Sequence, residues 1–233
     1  LYRPQDRGRN RSCDCNSRKK IMKELIRPLF GFPVYHSSVD KNKYDKKKIL
    51  KTILENFKKS KIRDNWSYGG FDINKMHHSL GDESNHEFKT PDYSSLIPIY
   101  KKEIEKYFNL MPHKAFKFNF EIVNYTCMTQ GHHMMGHIHT DCDFSAIHYL
   151  KFKDEPTVFR NTNDYSKFTT MVYPQIGENF LPNKVANSWA FKHFKIDTKE
   201  DDLFIFPAML EHSVPEIKTK EKRITVVFNI KIL

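Results

Sequence analysis

The chain has 233 residues, of which 39% are hydrophobic and 14% aromatic, and a formal net charge of +11. That is enough apolar material for one domain with a substantial core, and too much for a disordered chain. No apolar run reaches the ~20 residues that span a bilayer, and no 7–15-residue apolar stretch of a secretory signal opens the chain, so a cytoplasmic protein is expected.

Residues 1–21 carry seven basic side chains (Arg3, Arg7, Arg9, Arg11, Arg18, Lys19, Lys20) against Asp6 and Asp14, with no hydrophobic periodicity. They read as a basic disordered extension ahead of a single domain over 22–233. Much of the remaining positive charge is scattered lysine on predicted helix faces, such as Lys46, Lys47, Lys48, Lys58 and Lys59. A solvated basic surface is favoured over a nucleic-acid groove. Cys13, Cys15, Cys127 and Cys142 have no disulfide-framework spacing, as expected in a reducing compartment.

Leu29–His36 reads as a first strand, with Pro33 placing it at an edge or bulge. Ile49, Leu50, Ile53, Leu54 and Phe57 recur at helical spacing over 44–59, and Leu96, Ile99, Ile104, Tyr107 and Phe108 do so over 94–109, with Pro98 near the start. Between them, 60–93 is irregular, and Trp66 with Tyr68-Gly69-Gly70 is a candidate lid. From about 115 the pattern turns to β. Residues 116–125 alternate apolar and polar, and further strands are predicted at 136–141, 144–152, 156–160, 168–173, 187–193, 202–206, 211–216 and 223–232. Short strands after two helices argue for a mainly β (α+β) domain, a sandwich or barrel with the N-terminal helices packed on one face.

Two segments about seventy residues apart carry the chemistry. In the first, Gly136-His137-Ile138-His139-Thr140-Asp141, a strand would place His137, His139 and Asp141 on one face. The second, Phe206-Pro207 to His212-Ser213-Val214, could bring His212 to the same point from a partner strand. Two histidines and a carboxylate with open positions form the ligand set of non-haem Fe(II) oxygenases. Arg223-Ile224-Thr225 follows eleven residues after His212 and offers a guanidinium fork and a hydroxyl on one face of the last strand.

These segments resemble the 2-oxoglutarate/Fe(II)-dependent oxygenase superfamily, and more closely its prolyl-hydroxylase-like members in bacteria and phages. The echoes are His137 and His139, the strand from Ser145 to Leu150, Phe206 to Val214, and Arg223 to Asn229. The resemblance implies a double-stranded β-helix (jelly-roll) core, Fe(II), and a 2-oxoglutarate cosubstrate converted to succinate and CO2 with O2 while a C–H bond is hydroxylated. Two ligand registers stand open. Chemistry favours His139, Asp141 and His212, because a carboxylate offsets the Fe(II) charge. The prolyl-hydroxylase spacing from Gly131 instead gives His137, His139 and His212. Arg223 and Thr225 are expected to hold the cosubstrate's distal carboxylate, with Asn124 and Tyr125 as further cosubstrate contacts. A peptide, an amino acid, a nucleobase or a small metabolite would each fit as substrate. The alternative is a cupin-like metal-binding jelly roll without turnover, against which the Arg223 and Thr225 clamp argues.

Overall fold

The computed structural model describes residues 25–29, 32–60, 67–68, 71–72, 74–79, 88–111, 117–162 and 193–233. In chain order the elements are β1 (Leu25–Leu29), β2 (Phe32–Ser38), α1 (Lys46–Lys59), β3 (Ser67–Tyr68), β4 (Phe71–Asp72), β5 (Asn74–Lys75), β6 (His77–His78), α2 (Ile97–Asn109) and β7 (Phe118–Met128). They continue with β8 (His133–His137), β9 (Phe144–Lys151), β10 (Val158–Arg160), β11 (His193–Lys195), β12 (Asp202–Pro207), β13 (His212–Val214) and β14 (Arg223–Ile232). The predicted extension 1–21, the strand at 168–173, and Trp66, Gly69 and Gly70 lie outside the described residues.

A seven-stranded sheet runs β1-β2-β12-β9-β14-β7-β6, and a five-stranded sheet runs β11-β10-β13-β8-β5. Every pairing in the two is antiparallel. Strand alternation divides the larger sheet into two working faces. Tyr35, Ala146, Leu150, Leu203, Ile205, Ile224, Val226, Phe228 and Ile230 share one buried cluster with Ile49 and Ile53 of α1 and Tyr100, Ile104 and Tyr107 of α2. Their neighbours Val34, Ile147, Tyr149, Phe204 and Phe206 point the other way, into a second cluster with Phe159 of the smaller sheet. One set of sheet side chains, the outer face, therefore shares a cluster with residues of both helices and the other set, the inner face, with a residue of the second sheet, and each buried side chain contributes roughly 1.5–3 kcal/mol. Both helices form where the sequence predicts them, with Pro98 in the first turn of α2.

Asp201 is fixed between the helices and the larger sheet. Its φ of 68° lies in the left-handed region. Tyr44 Oη donates to its carboxylate at 2.6 Å, Lys46 Nζ at 2.7 and 2.8 Å, and its own N–H donates to Tyr149 O at 2.7 Å.

Two predicted boundaries shift. The first strand divides into β1 and β2, a hairpin ending at Ser38. More consequentially, β8 begins at His133 and stops at His137, where the sequence pattern placed a strand over 136–141. Beyond it the backbone is tied to other partners: His139 N–H donates to Ala208 O at 2.9 Å, Ala208 N–H to Asp143 O at 3.0 Å, and Asp143 N–H to Ile230 O at 3.0 Å. These ties bend the segment, so side-chain alternation does not carry from His137 to Asp141.

Candidate metal centre

Three imidazoles converge between the sheets. His137 ends β8, His139 follows it, and His212 opens β13 directly opposite His137 in the ladder. One ligand nitrogen from each lies within 4.8 Å of the others, and this is the one such group among the described residues. The rings of His139 and His212 are nearly parallel, with centroids 5.3 Å apart, and His137 stands 4.3 Å from His212.

Backbone carbonyls set two of the rings. His137 Nδ1 lies 3.0 Å from Met135 O, and His212 Nδ1 lies 2.9 Å from Leu210 O. An Nδ1–H donated to a carbonyl leaves Nε2 with its lone pair for a metal. All three are kept uncharged near neutrality, as a metal requires. Burial holds His139 down to about 4, helped by the nearby His137. Burial lowers His137 too, against opposing pulls from Met135 O and Glu211. His212 is lowered further by burial, with His137, His139 and Arg223 adding to the effect. The donor set thus fits a divalent transition metal, for which imidazole is a preferred ligand.

Asp141 is not in this group. It is exposed on the bend after β8, and among the described residues no carboxylate joins the three histidines. Glu211 is adjacent to His212 in sequence, and its charge reaches His137. Its Oε1 accepts from Arg160 Nη1 at 2.7 Å and lies over Gly136, where an added Cβ would come within 2.6 Å of it.

The cosubstrate residues expected from the sequence divide between the two faces. Arg223 and Thr225 lie on the inner face with Asn124, whose Oδ1 is buried without a hydrogen-bond partner. Tyr125 lies on the outer face, in the helix cluster, where its hydroxyl accepts from Asn56 Nδ2 at 2.8 Å and lies 3.1 Å from His77 Nε2. Thr225 Oγ1 is engaged with Thr126 Oγ1 at 2.7 Å. The hydroxyls beside Arg223 are Tyr149 and Thr157, which sequence reasoning did not assign. Arg223 Nη2 donates to Tyr149 Oη at 3.3 Å and to Thr157 Oγ1 at 3.1 Å, and Tyr149 Oη donates to Thr157 Oγ1 at 2.7 Å. Thr157 Oγ1 therefore accepts twice and keeps its own proton for another acceptor. Tyr149 lies in the strand that carries the resemblance, but the residue pattern of that strand does not give its face.

Arg223 is 2% exposed, its Nε has no partner, and among the described residues no carboxylate pairs with it. A buried guanidinium is costly unless an anion meets it. Its charge also reaches His212, adding to the effects that lower that imidazole's pKa.

Residues 124–229 match the protein family described as "Putative 2OG-Fe(II) oxygenase". The resemblance read from the sequence holds over that stretch, which contains all three clustered histidines and Arg223. Among solved structures, the chain is similar to a 2OG-Fe(II) oxygenase family oxidoreductase from Burkholderia pseudomallei (11% identity, TM-score 0.40), over 59% of this chain and 56% of that one. It spans just over half the length of that protein. It is also similar to a Trichoplax adhaerens prolyl hydroxylase in complex with a hypoxia inducible factor peptide (13% identity, TM-score 0.47, 86% and 83% covered). A third is the viral collagen prolyl hydroxylase of Paramecium Bursaria Chlorella virus-1 (15% identity, TM-score 0.45, 84% and 94% covered). No curated protein matches the sequence. Among the described residues no helix is long and apolar enough to cross a membrane.

Proposed function

We propose that the protein is an Fe(II)- and 2-oxoglutarate-dependent dioxygenase that hydroxylates its substrate and releases succinate and CO2, with its two facing sheets as the double-stranded β-helix. The observation that carries the reading is Arg223: a buried cation with no carboxylate partner among the described residues, whose charge reaches His212 of the three convergent imidazoles. A metal-binding module without turnover would have no use for such a charge.

In this reading His137, His139 and His212 hold the metal through Nε2, the prolyl-hydroxylase register, and Asp141 stays outside. Bound Fe(II) supplies the open positions at which a 2-oxo acid and O2 react. The chain's own part is to bind and orient. The Arg223 fork takes the distal carboxylate, Thr157 adds its remaining proton, and Tyr149 holds both in place. Asn124 and Thr225 line the same face, while Tyr125 acts through the helix packing behind it. Apolar side chains exclude water around the clamp: Phe159, Phe204 and Phe206 are nearly fully buried on that face.

The test is anaerobic titration of 2-oxoglutarate into Fe(II)-loaded protein, followed by succinate measurement after O2 is admitted. Binding that requires His212 and Arg223, followed by succinate release, supports the reading. A protein that takes up Fe(II) but binds no 2-oxo acid overturns it.

A further inference from the structure

The inner face also carries a polar pair to which neither the metal nor the cosubstrate gives a part. Ser145 stands opposite Phe206 on one side and opposite Asn229 on the other, so the three form one row across β12, β9 and β14. Their chain neighbours Ala146, Phe228 and Ile230 pack in the helix cluster, and alternation turns the row inward. Ser145 is wholly buried, and its Oγ donates to Asn229 Oδ1 at 3.3 Å. That bond orients the amide, so Asn229 Nδ2 carries its protons away from Ser145. Among the described residues Nδ2 has no hydrogen-bond partner of its own.

The row reaches the imidazole cluster. The Phe206 ring stands edge-on to the His212 ring, with centroids 4.9 Å apart. Two strand spacings of about 4.8 Å each lead from Phe206 to Asn229. The adjoining residues are tied to a second clustered histidine: His139 N–H donates to Ala208 O, Ala208 N–H to Asp143 O, and Asp143 N–H to Ile230 O. Arg223 lies six residues from Asn229 on β14, about 20 Å along an antiparallel strand. The four C–C bonds of a five-carbon diacid, at about 1.5 Å each, span no more than ~6 Å. An acid held by the Arg223 fork therefore ends short of the Asn229 amide.

We propose that Asn229, oriented by Ser145, hydrogen-bonds an uncharged carbonyl oxygen of the substrate. This rests on the metal and cosubstrate reading above and adds a substrate contact to it. Only a donor is on offer, because Asn229 Oδ1 is engaged with Ser145, so the ligand group is an acceptor. Glu121 stands directly opposite Asn229 on β7, where a carboxylate ligand would meet a like charge and an amide carbonyl would not. The substrate class is thus a peptide or another acyl amide. Ser145 is a positioning residue, since it acts through the amide it holds.

N-acetylglycinamide serves as the probe, titrated anaerobically into the full chain loaded with Zn(II) and 2-oxoglutarate. Heteronuclear NMR follows the side-chain amide signal of Asn229, assigned by its loss in Asn229→Asp, and the backbone signals give the Kd. The probe should shift that signal, and Co(II) in place of Zn(II) should broaden it. Asn229→Asp, which keeps the shape without the donor, should bind the probe about tenfold more weakly, the worth of one hydrogen bond, and Ser145→Ala about threefold more weakly. Both variants should take up Co(II) and 2-oxoglutarate as the unaltered chain does. An Asn229 signal that the probe does not move, or that Co(II) leaves sharp, overturns the inference. So does sodium acetate that moves the signal as far as the probe does, and so does unchanged probe affinity in Asn229→Asp. Loss of Co(II) or 2-oxoglutarate binding from both variants overturns it too, since the pair would then be structural. If His212→Ala retains Co(II) as well as the unaltered chain does, the metal reading itself falls, whatever the probe does.

Discussion

Replacing Arg223 by methionine should move two quantities in opposite directions. Arg223 is buried and has an unpartnered Nε, and among the described residues its hydrogen bonds go to two hydroxyls and, at 3.6 Å, to Met128 Sδ. Without an anion, the folded protein therefore carries an uncompensated desolvated charge. Its guanidinium carbon lies 4.9 Å from the Tyr149 ring centroid, a contact worth roughly 0.5–2 kcal/mol that offsets part of that cost. Methionine fills similar volume without charge, so the metal-free variant should be as stable as the unaltered chain or more so, by up to about 4 kcal/mol. Cosubstrate binding should collapse. Removing one partner of a buried charge pair costs about 2–5 kcal/mol, which is roughly a 30- to several-thousand-fold rise in the Kd for 2-oxoglutarate. Tyr149 and Thr157 remain hydrogen-bonded to each other and cannot replace a bidentate fork, and Arg223→Lys should restore only part of the affinity. Anaerobic calorimetry on Co(II)-loaded protein measures the binding, and thermal melts of the metal-free variants measure the stability. A methionine variant that binds 2-oxoglutarate within about threefold of the unaltered chain, on a scale where 1.4 kcal/mol is tenfold, would refute the assignment of Arg223.

His139→Ala and His212→Ala should each abolish Co(II) uptake in calorimetry, as should His137→Ala, whereas Asp141→Ala should leave it intact; metal retention by His137→Ala with loss in Asp141→Ala would restore the carboxylate register. Tyr125→Phe should cost about 1–3 kcal/mol in denaturant unfolding, because Asn56 and His77 lose a buried partner, while the Kd for 2-oxoglutarate stays unchanged. Gly136→Ala should displace the Glu211 carboxylate from Arg160 and lower the melting temperature by a few degrees, an effect that Glu211→Ala in the same chain should largely remove. Acid should also destabilise the metal-free protein. Burial holds His148 down to about 3 and His77 to about 4. The unfolded chain therefore binds more protons than the folded one below about 6.5, so stability is full above that pH and erodes as pH falls through 4. His148→Leu should flatten the melting temperature between pH 6.5 and 4, and an unchanged slope would remove His148 from the account.

The last strand shows how far sequence periodicity reaches. Arg223–Ile232 was predicted at 223–232, and both helices fell within a few residues, because those segments alternate or recur against a single apolar core. The metal segment was harder. Alternation told which residues would share a face of a strand, but nothing in Ile138-His139-Thr140-Asp141 announces that the backbone leaves the ladder to bond Ala208. The sequence therefore held both candidate registers open. The tyrosines show a second limit. The larger sheet is buried on both faces, so apolar and polar residues no longer mark inside from outside. Tyr125 and Tyr149 are equally buried, and only their pairing with Val226 and Thr225 puts one among the helices and the other beside Arg223.

Because β14 is shared between those two faces, it should display a two-beat rhythm in a saturation mutational scan that reads abundance and activity separately. Polar changes at Ile224, Val226, Phe228 and Ile230 strike the cluster that joins sheet to helices and should deplete the protein itself. Changes at Arg223 and Thr225 touch only the inner face and should leave abundant but inactive protein. Selection acting on this strand can thus retune chemistry at alternate positions without renegotiating the fold, and evolutionary drift in the one series carries no penalty in the other.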